Sequence, residues 1–389
     1  MKSHPDLLVD DEKLTEIVPA STRCARSSLR VIAAPAFKYA HQNPYCSQLY
    51  SELVRMGADV EDFSFLKALQ KRFDIVHLHW PEYYVAQENP WKAFLGSIGL
   101  IAACVWSRWR GAKVVWTVHN ILSHNRFRPR SERLFWSIFT RLLDGYICLT
   151  ASGQREIQRS RPALERLPGY VIPHGHYRNA YPREISGAAA RSQLGLAQDA
   201  KVMLFFGNVA PYKNVPELVQ AFSQLLASDC RLLIAGACRT PALKQAIVDM
   251  AASDPRIVLQ LDLIAPERVQ IYFRAADLVV LPYRDILNSG SALLALSFDR
   301  PVLVPALGAM PELQQEMSSD WVRMFSGELS VAELEQAMQW AISGRRAGRP
   351  TMDHLDWPVL AMDTLRAFEA LREKGAGGSQ AFYHRCKPS

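Results

Sequence analysis

Short runs of Val, Ile and Leu recur along the chain, separated by longer stretches whose apolar positions repeat with helical spacing. Residues 29–35 (LRVIAAP), 73–80 (FDIVHLHW), 112–119 (AKVVWTVH), 144–150 (DGYICLT) and 169–175 (GYVIPHG) predict strands. They show little polar alternation, as parallel strands covered on both faces require. Segments 44–56, 90–108, 130–143 and 152–160 lie between them with the length of helices. Together they predict a βαβ series wound into a parallel sheet. Residues 177–199 are polar and small, without an apolar period, and read as a linker. The strand pattern then restarts at 200–207 (AKVMLFFG), 230–236 (CRLLIAG), 256–261 (RIVLQL), 276–282 (ADLVVLP) and 300–305 (RPVLVP). The fold class is therefore α/β, with two Rossmann-like doubly wound domains facing a cleft. A chain of 389 residues is also too long for one core. The predicted boundaries are a loose arm over 1–28, a first domain over 29–180, a linker over 181–199 and a second domain over 200–345. A helical segment over 346–374, broken at Asp356-Trp357-Pro358, and a loose tail over 375–389 complete the chain.

Composition changes this picture little, since 49% hydrophobic and 21% charged residues are ordinary for a globular protein. Residues 1–28 mix charges, including Asp6, Asp10, Asp11 and Glu12, and lack the apolar core of a secretory signal. The seven cysteines, Cys24, Cys46, Cys104, Cys148, Cys230, Cys238 and Cys386, form no CxxC pair and are odd in number. That argues against a disulfide framework or zinc cluster and for a reduced, cytoplasmic setting. The net charge is +7, and much of it lies between Arg108 and Arg141, where Arg108, Arg110, Lys113, Arg126, Arg128, Arg130, Arg133 and Arg141 accompany only Glu132. This is either a solvated basic face or an attractor of phosphate. It lacks the interleaved aromatic platform of single-strand binders, which argues against nucleic acid. Beside it, Ala93 to Trp106 is an uncharged apolar stretch of 14 residues, short of the roughly 20 that span a bilayer. It reads as a buried core helix or as a helix lying in a membrane interface, with Trp91, Trp106, Trp109, Lys92, Arg108 and Arg110 at its flanks.

Ligands of doubly wound sheets bind beyond the carboxyl ends of the strands, and the polar clusters of this chain fall there. Gly207 permits close backbone approach, Lys213 adds a point charge, and the helix opening near Pro216 offers unpaired N–H groups, a combination that suits a diphosphate. Tyr283, Arg284 and then Asn288-Ser289-Gly290-Ser291 precede another helix, which is capping chemistry and equally an anion site. In the first half, HLHWPEYY (77–84) follows a strand. His77 and His79 share one face of it, as core histidines or as cleft groups, while Glu82 follows Pro81 as an exposed loop carboxylate. His119 and Asn120 end the next strand, with His124 beyond. In HGHYR (174–178), His174, His176 and Arg178 either line the cleft or hold the hinge. A His-x-His strand with a glutamate three positions on is not the helical HExxH arrangement, so no metal is expected.

With Gly207 to Lys213, CRLLIAG and ADLVVLPY…NSG…LALSFDRPVLVP in this order, the second half resembles the GT-B glycosyltransferases of the group-four-like kind. Adding NPYCSQLY (43–50), DIVHLHWPEY (74–83), VHN (118–120), HGHYR and PYK (211–213), residues 30 to 305 resemble the bacterial xanthan-type exopolysaccharide β-mannosyltransferases. The resemblance implies a GDP-mannose donor, a polyprenyl-diphosphate-linked oligosaccharide acceptor, inversion at the anomeric carbon and no cofactor. It also implies a peripheral, monotopic protein at the membrane surface, on the cytoplasmic face of the bacterial inner membrane. Under it, residues 200–345 bind the nucleotide sugar through Gly207, Lys213, Tyr283, Arg284, Asn288, Ser289, Gly290 and Ser291, helped by His174 and His176. Residues 29–180 bind the acceptor through Asn43, Tyr45, Trp80, Tyr83 and Asn120, with Glu82, His79 or His119 as general base. A donor such as GDP-fucose, UDP-glucose or UDP-glucuronate, or a non-catalytic binding protein of the same fold, are the alternatives. One departure stands out: the two glutamates eight apart of many retaining GT-B enzymes correspond here to Ile286 and Leu294. Anion binding must then rest on backbone groups with Asn288, Ser289 and Ser291, and the absence fits inversion.

Overall fold

The computed structural model describes residues 29–121, 129–344, 346 and 348–373. The arm over 1–28, the tail over 375–389, His124, Arg126, Arg128, Cys24 and Cys386 lie outside the described residues. The first sheet contains β1 (Arg30–Ala34), β2 (Asp59–Asp62), β3 (Ile75–Leu78), β4 (Lys113–Val118), β5 (Gly145–Cys148) and β6 (Gly169–Val171), all parallel, in the order β2-β1-β3-β4-β5-β6. The second contains β7 (Lys201–Phe206), β8 (Cys230–Ala235), β9 (Ile257–Gln260), β10 (Leu278–Val280), β11 (Val302–Pro305) and β12 (Val322–Phe325), in the order β12-β11-β10-β7-β8-β9. Chain direction across the sheet reverses between β1 and β3 and between β7 and β10, so each sheet has one switch point at its carboxyl edge.

Both faces of the first sheet are covered, which is why its central strands are mostly apolar. Val31, Ala33, Ile75, Val115 and Ile147 enter one core with the helix Tyr45–Arg55. Ile32, Val76, Leu78, Val114 and Trp116 enter the other, beneath the helices Pro90–Trp109 and Pro129–Leu142. Two edge strands escape the sequence reading. β2 reads Asp-Val-Glu-Asp, and β12 carries Arg323; an edge strand tolerates charge because one side faces water.

Two boundaries differ from expectation. Within the expected linker, Gly187–Gln193 forms a helix capped by Ser186 and packed on the helix Pro266–Ala275, with Ala190 fully buried. Arg191 ties it to Asp277 by two hydrogen bonds of 2.9 Å, so this segment belongs to the second domain. The chain after residue 346 is no independent segment either. Its helix Trp357–Glu373 returns to the first domain, burying Leu360, Leu365 and Phe368 against the helix Tyr45–Arg55. The crossing is pinned where Trp357 Nε1 donates to the His176 carbonyl (2.8 Å) and His176 Nε2 meets Asp356 Oδ1 (2.5 Å). Across the cleft, the Glu312 carboxylate accepts the N–H groups of Ala151 and Ser152, both at 2.9 Å, at the positive end of the helix Ala151–Ser160.

Candidate active site

A cavity of about 250 Å³ opens at the switch point of the second sheet. Gly207 and Gly236, at the ends of β7 and β8, make it possible. Their φ values are +133° and +140°, and a Cβ on Gly236 would stand 2.0 Å from the Gly207 carbonyl oxygen. A Cβ on Gly207 would reach within 2.9 Å of Ser291 Oγ, so a side chain there would push against the helix Gly290–Ser297. Gly290 and Ser291, which open this helix, line the cavity, and the unpaired N–H groups of a helix start suit an anion. Lys213 lies in the same wall, 9% exposed, its Nζ 3.9 Å from the centre of the Tyr283 ring and 5.2 Å from that of Tyr212. It forms no ion pair with any described residue, so its charge is available to a ligand.

Not every expected donor residue faces this cavity. Tyr283 is buried beneath Lys213, and its hydroxyl pairs with Ser289 Oγ at 3.2 Å. Ser289 accepts from Ala292 N–H at 3.1 Å and is the helix cap, leaving its neighbours Gly290 and Ser291 as cavity wall. Asn288 turns toward Thr150 of the first domain at 3.5 Å, with its amide nitrogen unpaired. Arg284 is exposed, pairs with Glu217 at 3.3 Å, and borders a separate interdomain cavity of about 520 Å³ with Asn120, Arg155 and Arg159. His176 is committed to Asp356 at the crossing. His174 stays close, with Nε2 3.3 Å from Tyr177 Oη and 3.5 Å from where a Cβ on Gly290 would lie. Burial pushes its pKa down to about 4.

In the first half, His77 and His79 form a buried chain. His77 Nε2 pairs with Thr117 Oγ1 (2.7 Å), His77 Nδ1 and His79 Nε2 both pair with Tyr50 Oη (2.7 Å each), and His79 Nδ1 pairs with His119 Nε2 (3.0 Å). The Tyr50 hydroxyl donates to one imidazole and accepts from the other, so the two tautomers are tied together. Burial holds His77 down to about 3 and both His79 and His119 well below the usual histidine range. His79 is therefore no cleft group: it is fully buried and both ring nitrogens are occupied. His119 is half-buried and stacks on Trp80 at 4.3 Å. Among the described residues no group of three or more His, Cys, Asp or Glu side chains is arranged to hold a metal.

Glu82 is not on an exposed loop. It opens the short helix Glu82–Val85, is 5% exposed, and its Oε1 accepts from Asn120 Nδ2 at 3.0 Å. Burial raises its pKa to about 7, against the hydrogen bond from Asn120. It stands behind the wall that Asn120 contributes to the interdomain cavity. Tyr45 does not reach an acceptor either, because it is buried among the rings of His119, His174 and Trp357 at 5.0, 4.6 and 5.4 Å. Asn43, expected on the acceptor side, lines the cavity at the switch point of the second sheet, together with His41 and Gln42. Trp80 and Tyr83 border a third cavity, described below. His41 and Gln42 passed unnoticed in the sequence, although they sit in the loop after β1, where a switch point directs attention.

Two members of the basic cluster are spent on structure. Arg108 bonds Asp144 at 2.8 Å and the Leu142 carbonyl, and Arg110 bonds the carbonyls of Leu69 and Lys71 at 2.7 and 3.0 Å.

Two facing Rossmann-like sheets, with an anion-sized cavity at the carboxyl edge of the second, define the GT-B architecture. Residues 200–343 match the family model for glycosyl transferases group 1. Along 359 residues, covering 92% of this chain and 97% of the relative, the sequence is 28% identical to the GDP-mannose:glycolipid 4-beta-D-mannosyltransferase of Xanthomonas campestris pv. campestris. It is 26% identical over 291 residues to a D-inositol 3-phosphate glycosyltransferase of Thermobispora bispora, covering 67% of this chain and 63% of that one. Among solved structures, sucrose-phosphate synthase from Thermosynechococcus elongatus superposes with a TM-score of 0.61 at 16% identity, covering 90% of this chain and 97% of that one. Anabaena HepE in complex with UDP and glucose does so at 0.61 and 17%, covering 90% and 98%.

Proposed function

We propose that the protein transfers mannose from GDP-mannose, with inversion, onto a lipid-diphosphate-linked oligosaccharide in exopolysaccharide assembly. The observation that supports this reading is the end-to-end similarity to the Xanthomonas enzyme, which covers both domains and not only the nucleotide-sugar half. In the mechanism, the donor diphosphate lies between Gly207, Lys213 and the opening N–H groups of Gly290–Ser297, where positive charge stabilises the leaving group. Glu82 removes the proton from the acceptor hydroxyl. Leu294, a wall of the donor cavity, and Ile286, at its interdomain neighbour, leave no carboxylate where retaining enzymes carry theirs, in keeping with a single displacement. The test is a thermal-shift panel of GDP-mannose, GDP-fucose, UDP-glucose and UDP-glucuronate. At 100 times its Kd the true donor adds about 2.7 kcal/mol of stability. GDP-mannose is expected to give the largest shift, and a UDP-sugar in its place would reassign the donor.

The enzyme works at the cytoplasmic face of the membrane as a peripheral protein. The helix Pro90–Trp109 buries Ala93, Leu100, Ala103, Cys104 and Ser107 in the domain and presents Trp91, Phe94, Leu95, Ile98, Val105 and Trp109 to the outside. Phe65, Leu66 and Leu69 of the neighbouring helix Phe65–Gln70 extend this apolar face. Its 20 residues would meet the length of a span, but the buried stripe and the Arg110 bonds to Leu69 and Lys71 tie it to the domain. It therefore lies in the interface. Leu95→Asn with Ile98→Asn is expected to weaken vesicle binding about tenfold or more in a flotation assay, with Tm unchanged. Unaltered flotation would remove this face from the membrane. Leu100→Ser, at a fully buried position, is expected to cost about 2–4 kcal/mol of stability instead.

A further inference from the structure

The first sheet has its own switch point, between β1 and β3, and a third cavity of about 310 Å³ opens there, separate from the donor cavity. Lys38 and Tyr39 come from the loop after β1, Trp80, Tyr83 and Tyr84 from the stretch after β3, and Lys92 from the first turn of the apolar helix. Both lysines are exposed, and neither forms an ion pair with a described residue. Lys92 gains nothing from its position in the helix, because the positive end of a helix disfavours a cation in the first turn. The one carboxylate in the wall, Asp62, is spent on the backbone: it accepts the N–H groups of Ala36 (2.8 Å), Phe37 (3.1 Å) and Lys38 (3.3 Å), holding the loop that presents Lys38. Two uncompensated cations over an aromatic floor are the recognition set for a diphosphate joined to a sugar.

The surroundings give the direction. At one end the cavity adjoins Trp91, Phe94 and Leu95, the start of the exposed apolar face. At the other, Tyr83 lies within electrostatic reach of Tyr212, which borders the donor cavity beside Lys213. We infer that this cavity seats the diphosphate and first sugars of the lipid-linked acceptor, with Lys38 and Lys92 on the diphosphate and Trp80 and Tyr83 against the sugar faces. The lipid leaves along the helix Pro90–Trp109, and the glycan runs toward the donor. This rests on the glycolipid reading above, and it concerns a different set of side chains from the donor site.

The test measures binding without transfer. Full-length protein is floated with phosphatidylcholine vesicles containing undecaprenyl diphosphate or, in parallel, undecaprenol, with inorganic diphosphate as competitor. The wild type is expected to bind the diphosphate lipid at least tenfold more tightly than the alcohol. Lys38→Gln/Lys92→Gln is expected to lose that preference while keeping both its affinity for undecaprenol vesicles and its thermal shift with GDP-mannose. A double variant that keeps the preference, or a wild type that shows none, overturns the assignment. Full displacement by micromolar inorganic diphosphate would mark a free-anion site and also overturn it. Absence of sugar transfer onto any glycolipid would instead fail the catalytic reading, and these binding measurements do not depend on that outcome.

Discussion

Glu82→Gln is expected to lower turnover by a factor of about 10² to 10⁴ while leaving nucleotide affinity intact, as loss of a general base should. Among the three candidate bases the environments differ in kind. Burial pushes His79 and His119 far below neutrality, so each is a weak proton acceptor, and His79 has no free ring nitrogen. The same burial raises the Glu82 carboxyl to about 7, where a base is both deprotonated and still avid for a proton. An acceptor hydroxyl that displaces the Asn120 amide from Oε1 would meet that base. The wild-type rate should therefore rise with pH through about 7. Stability supplies an independent sign. The folded-state pKa is raised from 4.5 to about 7, so the folded form binds this proton more tightly than the unfolded chain. Native stability is lost as pH climbs from 4.5 toward 7, on the order of 3 kcal/mol when complete. Gln keeps an oxygen for Asn120 and carries no charge. The variant should match wild type near pH 4, exceed it in Tm above pH 7, and still be inactive. Full activity in Glu82→Gln would remove it as the base.

Lys213→Met should raise the Kd for GDP and GDP-mannose by about 10- to 100-fold, in line with a charged hydrogen bond of roughly 1.5–3 kcal/mol. The lysine is 9% exposed with no carboxylate partner among the described residues; burial lowers its pKa, but Tyr283 and Tyr212 outweigh burial and the net shift is upward, so the site favours the charged form. Removing it costs those ring contacts, so Tm is measured beside the titration to separate loss of binding from misfolding. Calorimetric titration with GDP checks this, and an unchanged affinity would take Lys213 out of the donor site. Arg284 is not expected to behave in the same way. It lies outside the donor cavity on Glu217, and a bridge that exposed contributes about 1 kcal/mol or less.

The sequence reading and the structure part ways in an orderly manner. Buried central strands such as β3, β4, β7 and β8 were legible because both faces are covered and most positions are apolar. The edge strand Asp59–Asp62 was not, since its water-facing side accepts charge. Residues acting through backbone were legible by type: Gly207 at a strand end and the Asn-Ser-Gly-Ser turn before a helix carry their geometry in their composition. Side chains acting through partners were not. Tyr50 lies 27 positions from His77 and Thr117 lies 40, and only the parallel register of β3 beside β4, under the helix Tyr45–Arg55, brings them together.

The chain by itself determines the two doubly wound domains, the strand ends at which ligands bind and the apolar helix beside a basic stretch, because each follows from local periodicity and backbone chemistry. Tertiary structure alone decides which of the polar residues at those strand ends are free. Ser289 and Tyr283 are taken by a helix cap, His176 by the returning C-terminal helix, and His77 and His79 by Tyr50, whereas Lys213, Lys38 and Lys92 form no ion pair with a described residue. Availability depends on distant partners and on exclusion of water, and neither is written in the spacing of residues along the chain.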